Sequence, residues 1–187
     1  MKLARWFVRG VMVALSAYAL TISIIHQVHH TYPAVGPRAL EDTRPKQIQL
    51  GTFLRGDRAP LSDMLGHGWY GIESGTGRWS AGLSSELTLP EQDVGVDLEL
   101  RLRLLAAADG EHSTNPTRVV LHGRELAELD VRINVVSDYV VRVPAGAHQG
   151  YPLLLVFDYS FAVQPSPQDP RNIAIRLEGL ELRRMNR

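Results

Sequence analysis

The stretch Val94–Leu104 reads VGVDLELRLRL, and its alternation limits what the chain can fold into more than any other feature. Val94, Val96, Leu98, Leu100, Leu102 and Leu104 fall on one face of an extended strand, with Asp97, Glu99, Arg101 and Arg103 on the other. Wound as a helix, the same leucines would scatter around the circumference and bury nothing together. Similar short runs, separated by turn residues, occur at Ile48–Leu54, Leu83–Leu89, Arg118–His122, Glu125–Val131, Tyr139–Val143, Leu153–Tyr159 and Ile173–Arg183. His122-Gly123-Arg124 reads as a tight hairpin turn, and Pro90, Pro144 and Pro152 stand at strand borders, where a missing N–H does little harm. Asp63-Met-Leu-Gly and Asp169-Pro-Arg each suggest a short helical turn. The run LLLVF (Leu153–Phe157) lacks alternation and predicts a central strand covered on both faces, or one near a membrane. Many short strands without a long amphipathic helix predict an all-β, two-sheet β-sandwich, jelly-roll-like, over residues 47–187.

What precedes that body is different in kind. Val11–Ile25 (VMVALSAYALTISII) is uncharged and apolar on all faces, and follows a basic segment, residues 1–9. Extended to Val28, it is about as long, as a helix, as the ~30 Å hydrocarbon core is thick. Lys2, Arg5 and Arg9 lie before the span, which puts the N-terminus in the cytoplasm and the rest across the membrane. A small-x-small cleavage site is missing after the run, which favours an uncleaved signal anchor over 10–30 rather than a removed signal peptide. His26 and His30 share a helix face, but with no acidic third ligand nearby they read as a polar interfacial flank rather than a metal site. Residues 31–46, with Pro33, Pro37, Pro45 and Gly36, read as a tether holding the body off the bilayer.

Charge narrows the partners. Lys plus Arg and Asp plus Glu number 20 each, yet no acid occurs before Glu41. The residues after position 40 are therefore net acidic, with 16 bases against 20 acids, which argues against nucleic acid as a ligand. Cysteine is absent, removing disulfides, thiolate metal sites and cysteine nucleophiles together.

Leu65–Gly82, LGHGWYGIESGTGRWSAG, holds six glycines together with Trp69, Tyr70, Glu73, Arg78 and Trp79. Flat aromatic faces beside a carboxylate and a guanidinium suit the apolar faces and hydroxyl edges of a sugar ring, so these five residues are the candidate carbohydrate contacts. The competing reading makes Trp69 and Trp79 plugs at the end of the sandwich, with Glu73 and Arg78 a structural pair.

The pattern GW-x-x-x-E-x-x-x-G-R-W-S-x-G, followed by LSSELTLP, resembles the start of an accessory β-sandwich domain attached to bacterial membrane glycosyltransferases and other cell-envelope polysaccharide proteins. DYVVRVPAGAHQGYPLLLVFDYS resembles two paired strands of that domain, and QPSPQDPRNIAIRLEGLELRRM its Pro-rich loop and closing strand. The likeness spans roughly Leu65 to Met185. The chain departs from the pattern in having one anchor in place of a multispan catalytic part, and Asn172-Ile173 where Leu-Gly is frequent. The resemblance implies an extracytoplasmic jelly roll with binding or structural duties in polysaccharide assembly; together with the anchor read above, it puts the body in the periplasm, held to the bacterial inner membrane by a single pass.

No G-x-S-x-G elbow, H-E-x-x-H motif, P-loop or Ca²⁺ loop occurs, so the reading includes no cofactor, no metal and no catalytic residue. The expected role is a non-catalytic accessory subunit of a polysaccharide synthase or glycosyltransferase complex, meeting glycan or a lipid-linked sugar. Gly10, Ala14, Ala17 and Ala19 would let the anchor approach a multispan partner closely. Two alternatives remain: a protein-binding envelope scaffold that docks through a charged face including Arg101 and Arg103, and a hydrolase or lyase using Glu73 and Asp158 as its two carboxylates.

Overall fold

The computed structural model describes residues 48–71, 77–92, 95–148 and 151–185. The anchor, the tether, His26, His30 and Glu73 lie outside the described residues. Within the described residues the strands are β1 (Phe53–Arg55), β2 (Arg78–Trp79), β3 (Ser84–Leu89), β4 (Leu98–Ala106), β5 (Thr114–Leu121), β6 (Arg124–Arg132), β7 (Ser137–Val143), β8 (Leu153–Tyr159) and β9 (Ile175–Arg184). One short helix, α1 (Leu61–Met64), and a 3-10 turn at Ala145–Ala147 accompany them.

The strands form two antiparallel sheets. One has the order β1-β9-β4-β7, with β2 also on β9; the other has the order β3-β8-β5-β6. Except for the β5–β6 hairpin and the connection from β1 to β2, each connection carries the chain from one sheet to the other, which is jelly-roll connectivity. The VGVDLELRLRL pattern becomes β4, with Leu98, Leu100, Leu102 and Leu104 buried toward the other sheet. They meet Leu87 and Leu89 of β3, Val119 and Leu121 of β5, and Leu153, Leu155 and Phe157 of β8 in one apolar cluster. Burying such side chains contributes about 1.5–3 kcal/mol each, so the alternation drives the layering.

A bulge keeps β9 in phase with that core. Arg103 pairs with Gly179 and Leu104 with Leu177, leaving Glu178 as the extra residue. Ile175 and Leu177 point inward before it and Leu180 and Leu182 after it. At the β5–β6 hairpin, His122 (φ 48°) and Gly123 (φ 80°) both take positive φ, and Leu121 pairs with Arg124, the geometry of a type I′ turn. Pro116 sits within β5, at the end of its ladder with β8, where its carbonyl accepts the Ser160 N–H at 3.0 Å. Its missing N–H costs one terminal bond.

Several expectations change. In β8 the alternation is present after all: Leu153, Leu155, Phe157 and Tyr159 are buried, while Leu154 and Val156 face outward. The strand is central in its sheet but covered on one face. Of the Ile48–Leu54 run only Phe53 and Leu54 are strand, with β1 ending one residue later at Arg55, and β2 has no counterpart among the expected elements. A turn closed by an isolated bridge between Ser166 and Asp169 stands in place of the helical turn at Asp169.

Candidate functional site

The glycine-rich segment joins the open edges of the two sheets. Gly66 donates to the Glu86 carbonyl and Glu86 to that of His67, extending the sheet of β3. Trp69 then bridges Ser80, Tyr70 donates to the Trp79 carbonyl at 2.9 Å, and β2 completes the crossing by pairing with β9. The glycines permit this. A Cβ on Gly77 would overlap the Leu177 carbonyl, and one on Gly56 the same oxygen. On Gly68 (φ 79°) it would strike the Ser84 carbonyl. These glycines therefore serve backbone approach rather than a ligand-cradling loop.

The crossing sorts the candidate residues onto different faces. Trp69 turns in: its ring meets Phe157 edge-on at 6.3 Å, and its indole N–H donates to the Glu86 carbonyl at 2.7 Å. Its neighbour Ser80 is fully buried and accepts the N–H groups of Ala174 and Ile175. Tyr70 and Trp79, one step further along each strand, therefore share the outward face. Arg78 lies opposite the inward-facing Leu177, on the other side of β2 from Trp79. Its Nε is buried and makes no hydrogen bond among the described residues. Thus Tyr70 and Trp79 come together, while Trp69 and Arg78 do not join them.

Residues distant in sequence complete the outward face. Arg176, cross-strand from Trp79, places its guanidinium 5.3 Å from the indole centroid, and Arg171 stands 5.5 Å from that of Tyr70. Arg176 Nε donates to Glu178 Oε1 at 2.5 Å. Arg171 forms a salt bridge with Asp169 at 2.6 Å, and the guanidinium holds the Asp169 carboxyl below its ordinary range. The Tyr70 hydroxyl accepts the Asn172 N–H at 3.2 Å, fixing the ring against the β8–β9 loop. Neither Arg176 nor Glu178 was a candidate from sequence; the signal available was their outward register beside the buried Ile175 and Leu177. Such a row of half-buried rings flanked by guanidiniums can stack on a pyranose face and donate to its hydroxyls or to a carboxylate.

Asp158 faces outward and forms an ion pair with Arg118 at 3.2 Å. Arg101 pairs with Glu99 at 2.5 Å, and Arg103 with Asp138 at 2.8 Å while lying over the Phe53 ring. The outer face of the β4 sheet is thus a lattice of neighbouring opposite charges. Among the described residues no three His, Asp or Glu side chains are grouped to hold a metal ion.

Solved structures with a similar arrangement include sugar-binding proteins. One is the C-terminal domain of EclA, a sugar-binding protein, at 15% identity over 63% of this chain and 85% of that one, with a TM-score of 0.41. Another is the carbohydrate-binding module of Cellvibrio mixtus lichenase 5A in complex with cellotriose, at 8% identity over 74% of this chain and all of the module, TM-score 0.40. A third is the acetyl xylan esterase Est2A of Butyrivibrio proteoclasticus, at 11% identity and TM-score 0.44; the match covers 74% of this chain but 35% of the esterase. No family model matches the sequence, and no curated protein does. These similarities are low, and the sandwich stands on the two sheets themselves.

Proposed function

We propose that the protein binds glycan through the outward face carrying Tyr70 and Trp79, as a non-catalytic subunit tethered to the membrane by its N-terminal segment. On this reading the sandwich stands outside the cytoplasm, in the periplasm, and serves a multispan glycosyltransferase or polysaccharide synthase. The observation that carries the sugar contact is the cross-strand placement of Tyr70 beside Trp79, with Arg171 and Arg176 over their rings. Two adjacent, half-buried aromatic side chains on the outward face, while a third turns into the core, offer ring surface to a ligand. The apolar run at residues 11–28 and the basic residues before it support the tether and its orientation. The sequence likeness to domains attached to membrane glycosyltransferases supports the partner class.

The test is the double variant Tyr70→Ala/Trp79→Ala, expressed in the native host at wild-type level in the membrane fraction. Envelope polysaccharide yield should fall, while mild detergent extraction should still co-purify the same multispan protein. Unchanged yield rejects the sugar contact, and extraction of the wild-type chain without a glycosyltransferase rejects the accessory role.

A further inference from the structure

At the opposite end of the strands from Tyr70 and Trp79 lies a concavity of about 480 Å³, lined by His122, Gly146, Ala147, Tyr151, Pro152 and Leu154. The strand β4 measures the separation. Its residue Leu98 pairs with Val143, just before the turn that forms one wall of the hollow, and Leu105 pairs with Arg176 beside Trp79. Seven strand steps amount to about 23 Å. The two places are therefore distinct.

Three features set this hollow apart from an ordinary surface dip. Tyr151 is 68% exposed and Leu154 37%, so two large apolar side chains meet solvent within one concavity. An exposed apolar patch in a hollow marks a binding place more often than a lone exposed leucine does. His122 adds the second feature. The first position of a type I′ turn favours Asn, Asp or Gly, yet here an imidazole is held at φ 48° and lines the hollow. The third is charge: among the described residues no Asp, Glu, Lys or Arg lines it. A carboxylated or phosphorylated ligand would find no counter-charge there. A neutral ring with an apolar face and hydroxyl edges would find a flat phenol, an aliphatic floor from Leu154 and Pro152, and polar tips on His122 and Tyr151.

We propose that this hollow is a second carbohydrate site, specific for a neutral sugar residue, with Tyr151 as the stacking ring and His122 as a hydroxyl partner. It rests on the glycan reading above for the class of ligand, and on separate residues for its place. A polymer held at both ends of the sandwich would gain avidity without any new contact.

The experiment uses the full chain in a detergent without a sugar headgroup, labelled at the tyrosine and histidine rings and the tryptophan indoles. It is titrated by NMR with cellohexaose, mannohexaose and hexagalacturonate. The Tyr151 resonance, identified by its loss in Tyr151→Ala, should move with a neutral hexamer and stay fixed with hexagalacturonate. Affinity read at the His122 ring should fall about tenfold in Tyr151→Ala and recover in Tyr151→Phe, which keeps the stacking face. If Tyr151 responds to none of the hexamers, or equally to the charged one, the proposal is overturned. A response at the Trp79 indole alone leaves the first site standing and discards the second; a response at Tyr151 alone does the reverse. Silence toward sugars, with Tyr151 covered instead by a co-purified membrane protein, overturns it in favour of a protein contact.

Discussion

Two glycines a few residues apart make the sharpest test of how the aromatic segment is built. Gly77 has ordinary φ, but a Cβ there would overlap the carbonyl and carbonyl carbon of Leu177 and the Cα of Glu178. All three atoms are backbone of β9, held by its ladder with β4, so none can rotate aside. Overpacking costs typically about 1–3 kcal/mol where side chains can give way, so Gly77→Ala should cost about 3 kcal/mol or more. Gly82 is the reverse case. Its φ is +79°, yet nothing lies within 4 Å of where its Cβ would stand. Gly82→Ala should therefore carry the left-handed backbone penalty alone, about 1–2 kcal/mol. With a urea slope of about 2 kcal/mol/M, the midpoint should drop by about 1.5 M or more in the first variant and by about 0.5–1 M in the second. Tryptophan fluorescence of the full chain in urea reports this directly, since Trp69 and Trp79 flank the segment. A Gly77→Ala variant no less stable than Gly82→Ala would refute the claim that the glycines exist for backbone approach to β9.

Trp69→Phe keeps an edge-on ring against Phe157 but removes the N–H given to the Glu86 carbonyl, which Gly66 still serves at 2.9 Å. Stability should fall by about 1 kcal/mol in urea unfolding, with glycan binding unchanged. Burial pushes the Tyr159 phenol above its ordinary pKa of 10.0 despite hydrogen bonds with Ser85 and Ser80. The folded state then holds its proton more tightly than the unfolded one, so stability is full below pH 10 and declines as pH rises beyond it. Tyr159→Phe should remove that alkaline loss in melting curves taken from pH 8 to 12. In the exposed pair of Asp109 and His112, the backbone and ring of His112 lower the carboxyl to about 2, and Asp109 raises the imidazole above 6.5. The pair is complete between pH 3.8 and 6.5; it is lost as pH climbs through the raised His112 value or falls through about 2. An NMR titration should show His112 returning toward 6.5 in Asp109→Asn.

Much of the sandwich was legible because burial imposes a period of two, and wherever the outward residues are polar the period shows. In β4 the outward Glu99, Arg101 and Arg103 make it plain. In β8 it was hidden, because Leu154 and Val156 are apolar on the outward face, and Leu154 lines a hollow. β2 is two residues long and held by pairing with β9, which leaves no period to read. The site was half legible. Composition flagged Leu65–Gly82, but Trp69 and Trp79 are the same residue type in similar glycine-rich surroundings. Their fates are set by which of them aligns with buried Ser80, a matter of pairing between segments. Arg176 reaches Trp79 from 97 positions away through the ladder of β9, a distance no local pattern spans.

The account turns on whether the Tyr70–Trp79 face touches glycan. Calorimetric titration of the full chain with oligosaccharides released from the host envelope measures this most directly. Binding that is weakened in Trp79→Ala but kept in Trp69→Phe is the expected result. Equal affinity in Trp79→Ala and the wild-type chain would contradict it.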